Sequence, residues 1–186
     1  FDVFPTLELK TGLSDLMGQT QVERISTTKA KDYLRIYIKS THLIMKEDIF
    51  ETEKAIKKQL FPDAEMAVKI YESFELSSQY NPRKLLEIYL DSILEEFRRY
   101  SHVEYIALKS ADFSYPDEKS VKLVMEDTVI NRSKQEEIVR ILEKILVERC
   151  GLNAELSVDY KEPADKKNRE NEELKIEMMV AEISKR

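Results

Sequence analysis

Several residue types on which protein chemistry depends are scarce in this sequence. Its 186 residues include one cysteine, three glycines, two histidines and no tryptophan. The single cysteine, Cys150, excludes an internal disulfide framework and favours a reducing, cytosolic compartment. So few glycines and histidines leave little material for phosphate-cradling loops or imidazole metal sites. The composition therefore argues against a self-contained enzyme, and we expect no catalytic residue, no metal ligand and no cofactor.

Long apolar runs and an excess of basic charge are also missing. The apolar runs span only a few residues, whereas a membrane-spanning helix needs about 20, and the first residues show no secretory signal pattern. Acidic residues number 36 against 30 basic ones, so the net charge is −6 at pH 7. No segment has a basic excess, which disfavours a strong, sequence-blind nucleic-acid binder. We expect a cytoplasmic protein without membrane contact.

The order of predicted elements repeats along the chain. In residues 1–75 the hydrophobic periodicity predicts a helix at 11–17, strands at 21–27 and 33–40, a helix at 46–60 and a strand at 65–73. In residues 76–162 it predicts helices at 82–100 and 103–109, a hairpin at 112–115 and 121–126, a helix at 133–150 and a strand at 153–160. Both halves contain a ββαβ unit, so we expect an α+β fold of two small domains, each a helix-backed three-stranded sheet. The composition of residues 163–186 predicts a charged linker followed by the start of an amphipathic helix, a pattern typical of a fragment of a longer chain.

Three local signals mark the ends of helices. Asn81 followed by Pro82 is typical of an N-cap and a first helical residue. Ser133 and Glu136 have the spacing of a capping box, which predicts a helix start at Ser133. Gly151 suits the position just after the end of that helix.

Two features look reactive but have simpler interpretations. Glu126 and Asp127 are adjacent carboxylates after a strand, yet a two-metal site needs several converging acids and no partner motif is present. A solvated strand end is the favoured interpretation. Cys150 ends an apolar helix and has no cysteine or histidine at ligand spacing, so it is interpreted as a small core residue. His42 and His102 lack the spacing of zinc ligands.

One face of the first predicted sheet combines cations with tyrosines. Strand alternation places five side chains opposite the core: Arg35, Tyr37, Lys39, Lys69 and Tyr71. Interleaved rings and cations are the pattern that binds single-stranded nucleic acid, because rings stack on bases and cations contact phosphates. The alternative is a solvated face in which tyrosine has high strand propensity, and the negative net charge favours that alternative. The face is thus a candidate surface for single-stranded DNA or for a partner protein.

Several segments outside any catalytic motif resemble one family. They are FDVFPTLEL at 1–9, KKQLFP at 57–62, LSSQY at 76–80, EDTVI at 126–130 and ERCG at 148–151. These segments resemble the N-terminal region (domains NI and NII) of the PolC-type DNA polymerase III alpha subunit, the replicative polymerase of low-GC Gram-positive bacteria. The resemblance covers nearly the whole chain.

The resemblance implies a module that serves the rest of a longer polypeptide. The family's parent chain is a DNA-directed DNA polymerase with a 3′-5′ exonuclease, and its catalytic carboxylates lie in later domains. The two halves are then similar to K-homology-like or initiator-domain-like interaction modules, although the Gly-x-x-Gly loop of nucleic-acid-binding K-homology domains is missing. The implied role is docking of a replisome protein, with the clamp-loader tau subunit as the implied partner. Guidance of single-stranded DNA is the alternative, and an independent hydrolase or transferase is the least favoured hypothesis.

Overall fold

A computed structural model describes residues 3–163 and shows an α+β architecture with two three-stranded sheets. Most of the predicted linker and helix start at 163–186 lies outside the described residues. The first half contains α1 (Thr11–Gly18), β1 (Gln21–Thr27), β2 (Tyr33–Ser40), α2 (Lys46–Leu60) and β3 (Ala67–Phe74). Its sheet has the order β1-β2-β3, antiparallel between β1 and β2 and parallel between β2 and β3.

The second half repeats this topology after two opening helices. It contains α3 (Pro82–Tyr100), α4 (His102–Lys109), β4 (Asp112–Ser114), β5 (Ser120–Glu126), α5 (Val129–Glu143), a π-helical segment (Lys144–Arg149) and β6 (Glu155–Lys161). The sheet order is β4-β5-β6, again antiparallel and then parallel. The predicted fold of two helix-backed sheets with a ββαβ unit is therefore confirmed, and the division at residues 75 and 76 stays a prediction.

Helix α3 begins where the sequence predicts it, whereas α5 does not. The Asn81 side chain accepts a hydrogen bond from the backbone N–H of Lys84 at 2.8 Å, as an N-cap does. The predicted start at Ser133 is wrong, because Thr128 is the N-cap of α5 and accepts from the N–H of Asn131 at 3.1 Å. Ser133 lies inside the helix, where its hydroxyl donates to the carbonyl of Ile130 at 2.8 Å.

The end of α5 widens into a π-helical turn before it stops at the predicted glycine. The N–H of Cys150 donates to the carbonyl of Ile145 at 3.0 Å, a five-residue step. Gly151 then has φ of +65°, the left-handed conformation that ends helices at little cost in glycine. The N–H of Leu152 closes the motif on the carbonyl of Leu146 at 2.9 Å.

The two halves pack against each other through α2, β3 and α3. The buried Tyr89 of α3 donates its hydroxyl to the carbonyl of Ile44 at 2.7 Å, and its ring meets Phe74 edge-on with centroids 6.1 Å apart. Helix α2 has no cap of its own, but the N–H of Lys46 donates to the hydroxyl of Ser92 at 2.6 Å. The second half thus supplies the cap of α2 in the first half. The start of α2 therefore depends on where α3 of the second half lies.

Candidate interaction face and the groove beside it

The five predicted site residues lie on one face of the first sheet. In the parallel pair β2 and β3, Arg35 lies opposite Lys69 and Tyr37 lies opposite Tyr71. Lys39 follows on the same face of β2, since the intervening positions point into the core. The structure therefore brings the predicted residues together on the face opposite the helices, here called the outer face.

A stack of three side chains crosses this face from strand to strand. The rings of Tyr37 and Tyr71 have centroids 5.1 Å apart and planes inclined by 18°. On the other side of Tyr37, the guanidinium of Arg24 lies 4.1 Å from the ring centroid. Sequence reasoning missed Arg24 because an irregularity in β1 between Val22 and Arg24 shifts the register and places it opposite Tyr37. A bulge of this kind leaves no clear periodic signal.

The spacing of this stack determines how its ring planes are oriented relative to the sheet. Neighbouring strands lie about 4.8 Å apart, close to the distance of 5.1 Å between the two ring centroids. The ring planes of Tyr37 and Tyr71 therefore face the neighbouring strands and stand upright on the sheet. Both faces of Tyr37 are occupied, by Arg24 and by Tyr71. Within this stack and among the described residues, the ring face that has no stacked neighbour is the far side of Tyr71, toward the edge of β3.

The two predicted lysines of the outer face have carboxylate partners. Lys39 pairs with Glu75 at 2.5 Å, and that hydrogen bond and charge raise the pKa of Lys39. Lys69 reaches over the edge of β3 to Glu53 at 3.6 Å. Burial raises the pKa of Glu53, although the carboxylate accepts from the N–H of Ile70 at 2.8 Å and faces Lys69. Arg35 instead lies 6.0 Å from the ring centroid of Tyr33.

A groove of about 560 Å³ runs between the halves next to the edge of β3. Its walls include Tyr71 and Lys69 from the first half and Arg99 and Tyr100 from the second. Phe50 of α2 completes one wall, and the guanidinium of Arg99 lies 3.6 Å from its ring centroid. Part of the outer face therefore continues over the edge of the sheet into this groove.

Four buried or half-buried charges form the floor of the groove. Lys46 contacts Glu72 at 2.5 Å and Glu96 at 3.6 Å. Arg149 makes two hydrogen bonds to Glu96, at 2.7 and 2.9 Å, and lies 3.3 Å from Glu72. These residues, here called the charge tetrad, come from both halves, since Lys46 and Glu72 belong to the first and Glu96 and Arg149 to the second.

The two cations of the charge tetrad balance its two carboxylates. Burial raises the pKa of Glu96, but the hydrogen bonds and charge of Arg149 and the charge of Lys46 outweigh it and hold that pKa below its usual value. Burial likewise works against the charged form of Arg149, yet Glu96 and Glu72 raise its pKa on balance. Both side chains are thus held ionised. Sequence reasoning missed the tetrad, although Glu72 stands in the core-facing row of β3, where a carboxylate interrupts apolar residues.

The two features interpreted as unreactive have ordinary structural roles. Asp127 accepts two hydrogen bonds from Arg132, at 2.6 and 3.0 Å. Cys150 is buried, and burial raises the pKa of its thiol to about 12. Among residues 3–163, histidine, cysteine, aspartate and glutamate side chains form no group of three or more that could hold a metal ion. In the same part of the chain, no helix has both the length and the apolar character needed to cross a membrane.

These features define a class of protein: an α+β module of two ββαβ units with an open sheet face and a groove between its halves. Comparison with known families is more specific. Residues 1–70 match the family described as DNA polymerase III polC-type N-terminus I. The resemblance to the N-terminal region of that polymerase is thereby confirmed for residues 1–70. No curated protein and no solved structure matches the chain.

Proposed function

We propose that this chain is a non-catalytic interaction module of a polC-type replicative DNA polymerase and that it docks a replisome protein. The observation that carries the proposal is the outer face of the first sheet, on which the Arg24–Tyr37–Tyr71 stack lies at the protein surface. Aromatic rings beside arginines are the groups that protein interfaces favour. The family match at residues 1–70 supports placing this surface in the replication machinery.

The clamp-loader tau subunit is the first partner to test. We expect isothermal titration calorimetry of the whole chain with tau to show saturable binding, and the other replisome subunits follow if tau is silent. Arg24→Glu and Arg35→Glu should weaken binding because both reverse a charge on the outer face. Arg140→Glu is the matched control, since Arg140 lies on α5 of the other half. Silence across the whole panel, or equal affinity for all three variants, refutes docking through this face.

Guidance of single-stranded DNA is the second candidate function. The observation in its favour is that Arg24 and Arg35 contact rings rather than carboxylates, which leaves cationic groups beside tyrosines. Binding of oligo-dT, followed by fluorescence anisotropy, should fall with salt and be lost in Tyr37→Ala and Lys69→Glu. Binding that is unchanged in both variants refutes this role for the outer face.

A further inference from the structure

The Arg24–Tyr37–Tyr71 stack is incomplete on one side. Tyr71 is 45% exposed and lines the groove between the halves, whereas Tyr37 does not reach the groove. The open face of the Tyr71 ring is therefore a stacking position that borders a cavity, with Phe50 and Tyr100 also on the walls. A planar group that entered the groove could extend the stack by one member, in the offset geometry that aromatic pairs prefer.

The mouth of the groove presents positive charge, although its ion pairs are balanced. The Lys69 side chain is 42% exposed, while its partner Glu53 is only 10% exposed. The same asymmetry holds for Arg99, which is 55% exposed against 15% for Glu95. Solvent therefore meets the cations rather than the carboxylates. On a chain with a net charge of −6, such a site is a local exception that favours an anionic ligand.

We infer that the groove between the halves receives an aromatic side chain carried by an acidic, extended segment of the docked protein. The ring would stack on the open face of Tyr71, and neighbouring carboxylates would pair with Lys69 and Arg99. This inference rests on the proposed docking function and specifies the chemistry of the partner. It also makes the binding site composite, because Tyr71 and Lys69 come from the first half and Arg99 from the second.

The arrangement of the rings at the groove favours a peptide over a nucleic-acid strand. Single-strand binders use rows of exposed rings along a cationic path. Here Tyr37 is enclosed on both sides, so the stack offers one ring face. Tyr33 and Tyr100 are also exposed on the groove, but neither is stacked on Tyr71 in a row. The exposed cations of the groove mouth are Lys69 and Arg99. One ring flanked by a few carboxylates matches this arrangement better than a polyanion does.

The shape of the groove is set before a ligand arrives. The charge tetrad ties both walls together at the floor, and Arg99 is held over Phe50 at 3.6 Å from the ring centroid. A preformed site loses less conformational entropy on binding than a flexible one. The groove is therefore suited to a short segment that makes only a few strong contacts.

A labelled acidic peptide tests the inference directly. The probe is a fluorescein-labelled dodecapeptide of glycine and aspartate with one central phenylalanine, and the comparison peptide has alanine at that place. We expect the phenylalanine peptide to bind the whole chain about 5-fold more tightly, since an aromatic pair contributes a factor of about 2 to 10. Tyr71→Ala should abolish that difference, whereas Tyr71→Phe should keep it.

A second pair of variants tests the contribution of the other half. Arg99→Gln should weaken binding of the phenylalanine peptide by about 3-fold, in the range measured for exposed ion pairs. Arg98→Gln is the matched control, because Arg98 is similarly exposed, pairs with the same Glu95 and does not line the groove. Thermal unfolding of each variant confirms that it is folded before its affinity is compared.

The outcomes separate this inference from the docking function. Equal affinity of the two peptides, no binding of either, or tighter binding of oligo-dT of the same length overturns the inference. So does a replisome protein that binds Tyr71→Ala and Arg99→Gln as tightly as the unaltered chain, and the docking function then stands. Failure of every replisome protein to bind overturns both.

Discussion

Removing Arg149 from the charge tetrad gives the sharpest test of how the halves are joined. Arg149→Met leaves Glu72 and Glu96 facing the single cation Lys46, so a net negative charge remains at the joint. Glu72 is 1% exposed and cannot recover solvation there. Breaking a fully buried pair costs about 3–5 kcal/mol. Because Arg149 and Glu96 are 18% and 27% exposed, we expect a loss of about 2–3 kcal/mol in the free energy of unfolding.

A second variant tests whether the surplus negative charge is the cause of the lost stability. Adding Glu96→Gln to Arg149→Met removes the surplus negative charge and leaves Lys46 and Glu72 as a matched pair at 2.5 Å. The double variant should therefore be more stable than Arg149→Met alone, by about 1 kcal/mol. Urea unfolding followed by circular dichroism measures all three chains. Arg140→Met is the control, since its partner Glu137 at 2.7 Å lies on the surface, and it should change stability far less.

The pH dependence follows from the same contacts. The pKa of Glu96 is lowered in the folded state, so its contribution to stability is present above the unfolded value of about 4.3 and is lost as the pH falls through the lower, folded value. The unaltered chain should therefore lose its advantage over Glu96→Gln as the pH falls below about 4.3. Glu53, whose pKa is raised, acts in the opposite direction but equally in both chains. The reasoning fails if Arg149→Met is no less stable than the control, or if the double variant is the least stable chain.

Three further predictions concern the contacts around this joint. Ser92→Ala should cost about 1 kcal/mol, because helix α2 loses the cap that Ser92 supplies to the N–H of Lys46, and urea midpoints measure it. Tyr89→Phe should cost about 1–2 kcal/mol, since the buried carbonyl of Ile44 loses its donor, while Tyr105→Phe, which loses only an exposed hydrogen bond from Lys109, should show no comparable loss. Cys150 should resist thiol-reactive dyes until the chain unfolds, because it is buried with a pKa of about 12, and rapid labelling in native buffer contradicts this.

The parts of the fold that the sequence predicts well are those with local causes. Alternation in β2 identifies Leu34, Ile36 and Ile38 as one buried row because a strand turns each successive side chain to the opposite face. Asn81 and Gly151 fix helix ends through backbone preferences that need no distant partner. These signals sufficed for the element order and for placing the predicted site residues on one face.

The start of α5 shows where local signals compete. Thr128 and Ser133 can both cap a helix, and the choice between them depends on Asn131. Its side-chain amide donates to the carbonyl of Glu126 at 2.9 Å and so ties the earlier start to the end of β5. That contact exists only once strand and helix are in place. A capping rule applied to sequence alone cannot include it.

The groove and its tetrad lay beyond sequence reasoning for a related reason. Glu72 and Arg149 are far apart in the chain, and each resembles an ordinary surface charge when taken alone. The single sequence signal for the tetrad was strand alternation, which places Glu72 in a core-facing position between Ile70 and Phe74. A buried carboxylate requires a cation. The core-facing position of Glu72 therefore indicates that a cationic partner exists but does not say which residue supplies it.

The way in which the halves are joined bears on how a partner would be held. The cap from Ser92, the Tyr89 hydrogen bond and the charge tetrad all cross the same joint. A hinge motion that opened the groove would break them together, at a cost of several kcal/mol (roughly the sum of one cap, one buried hydrogen bond and a charged pair). The two walls therefore cannot move independently at low cost. A segment bound between them would be fixed in orientation relative to both halves, which suits a module whose proposed task is to position a polymerase against a second protein.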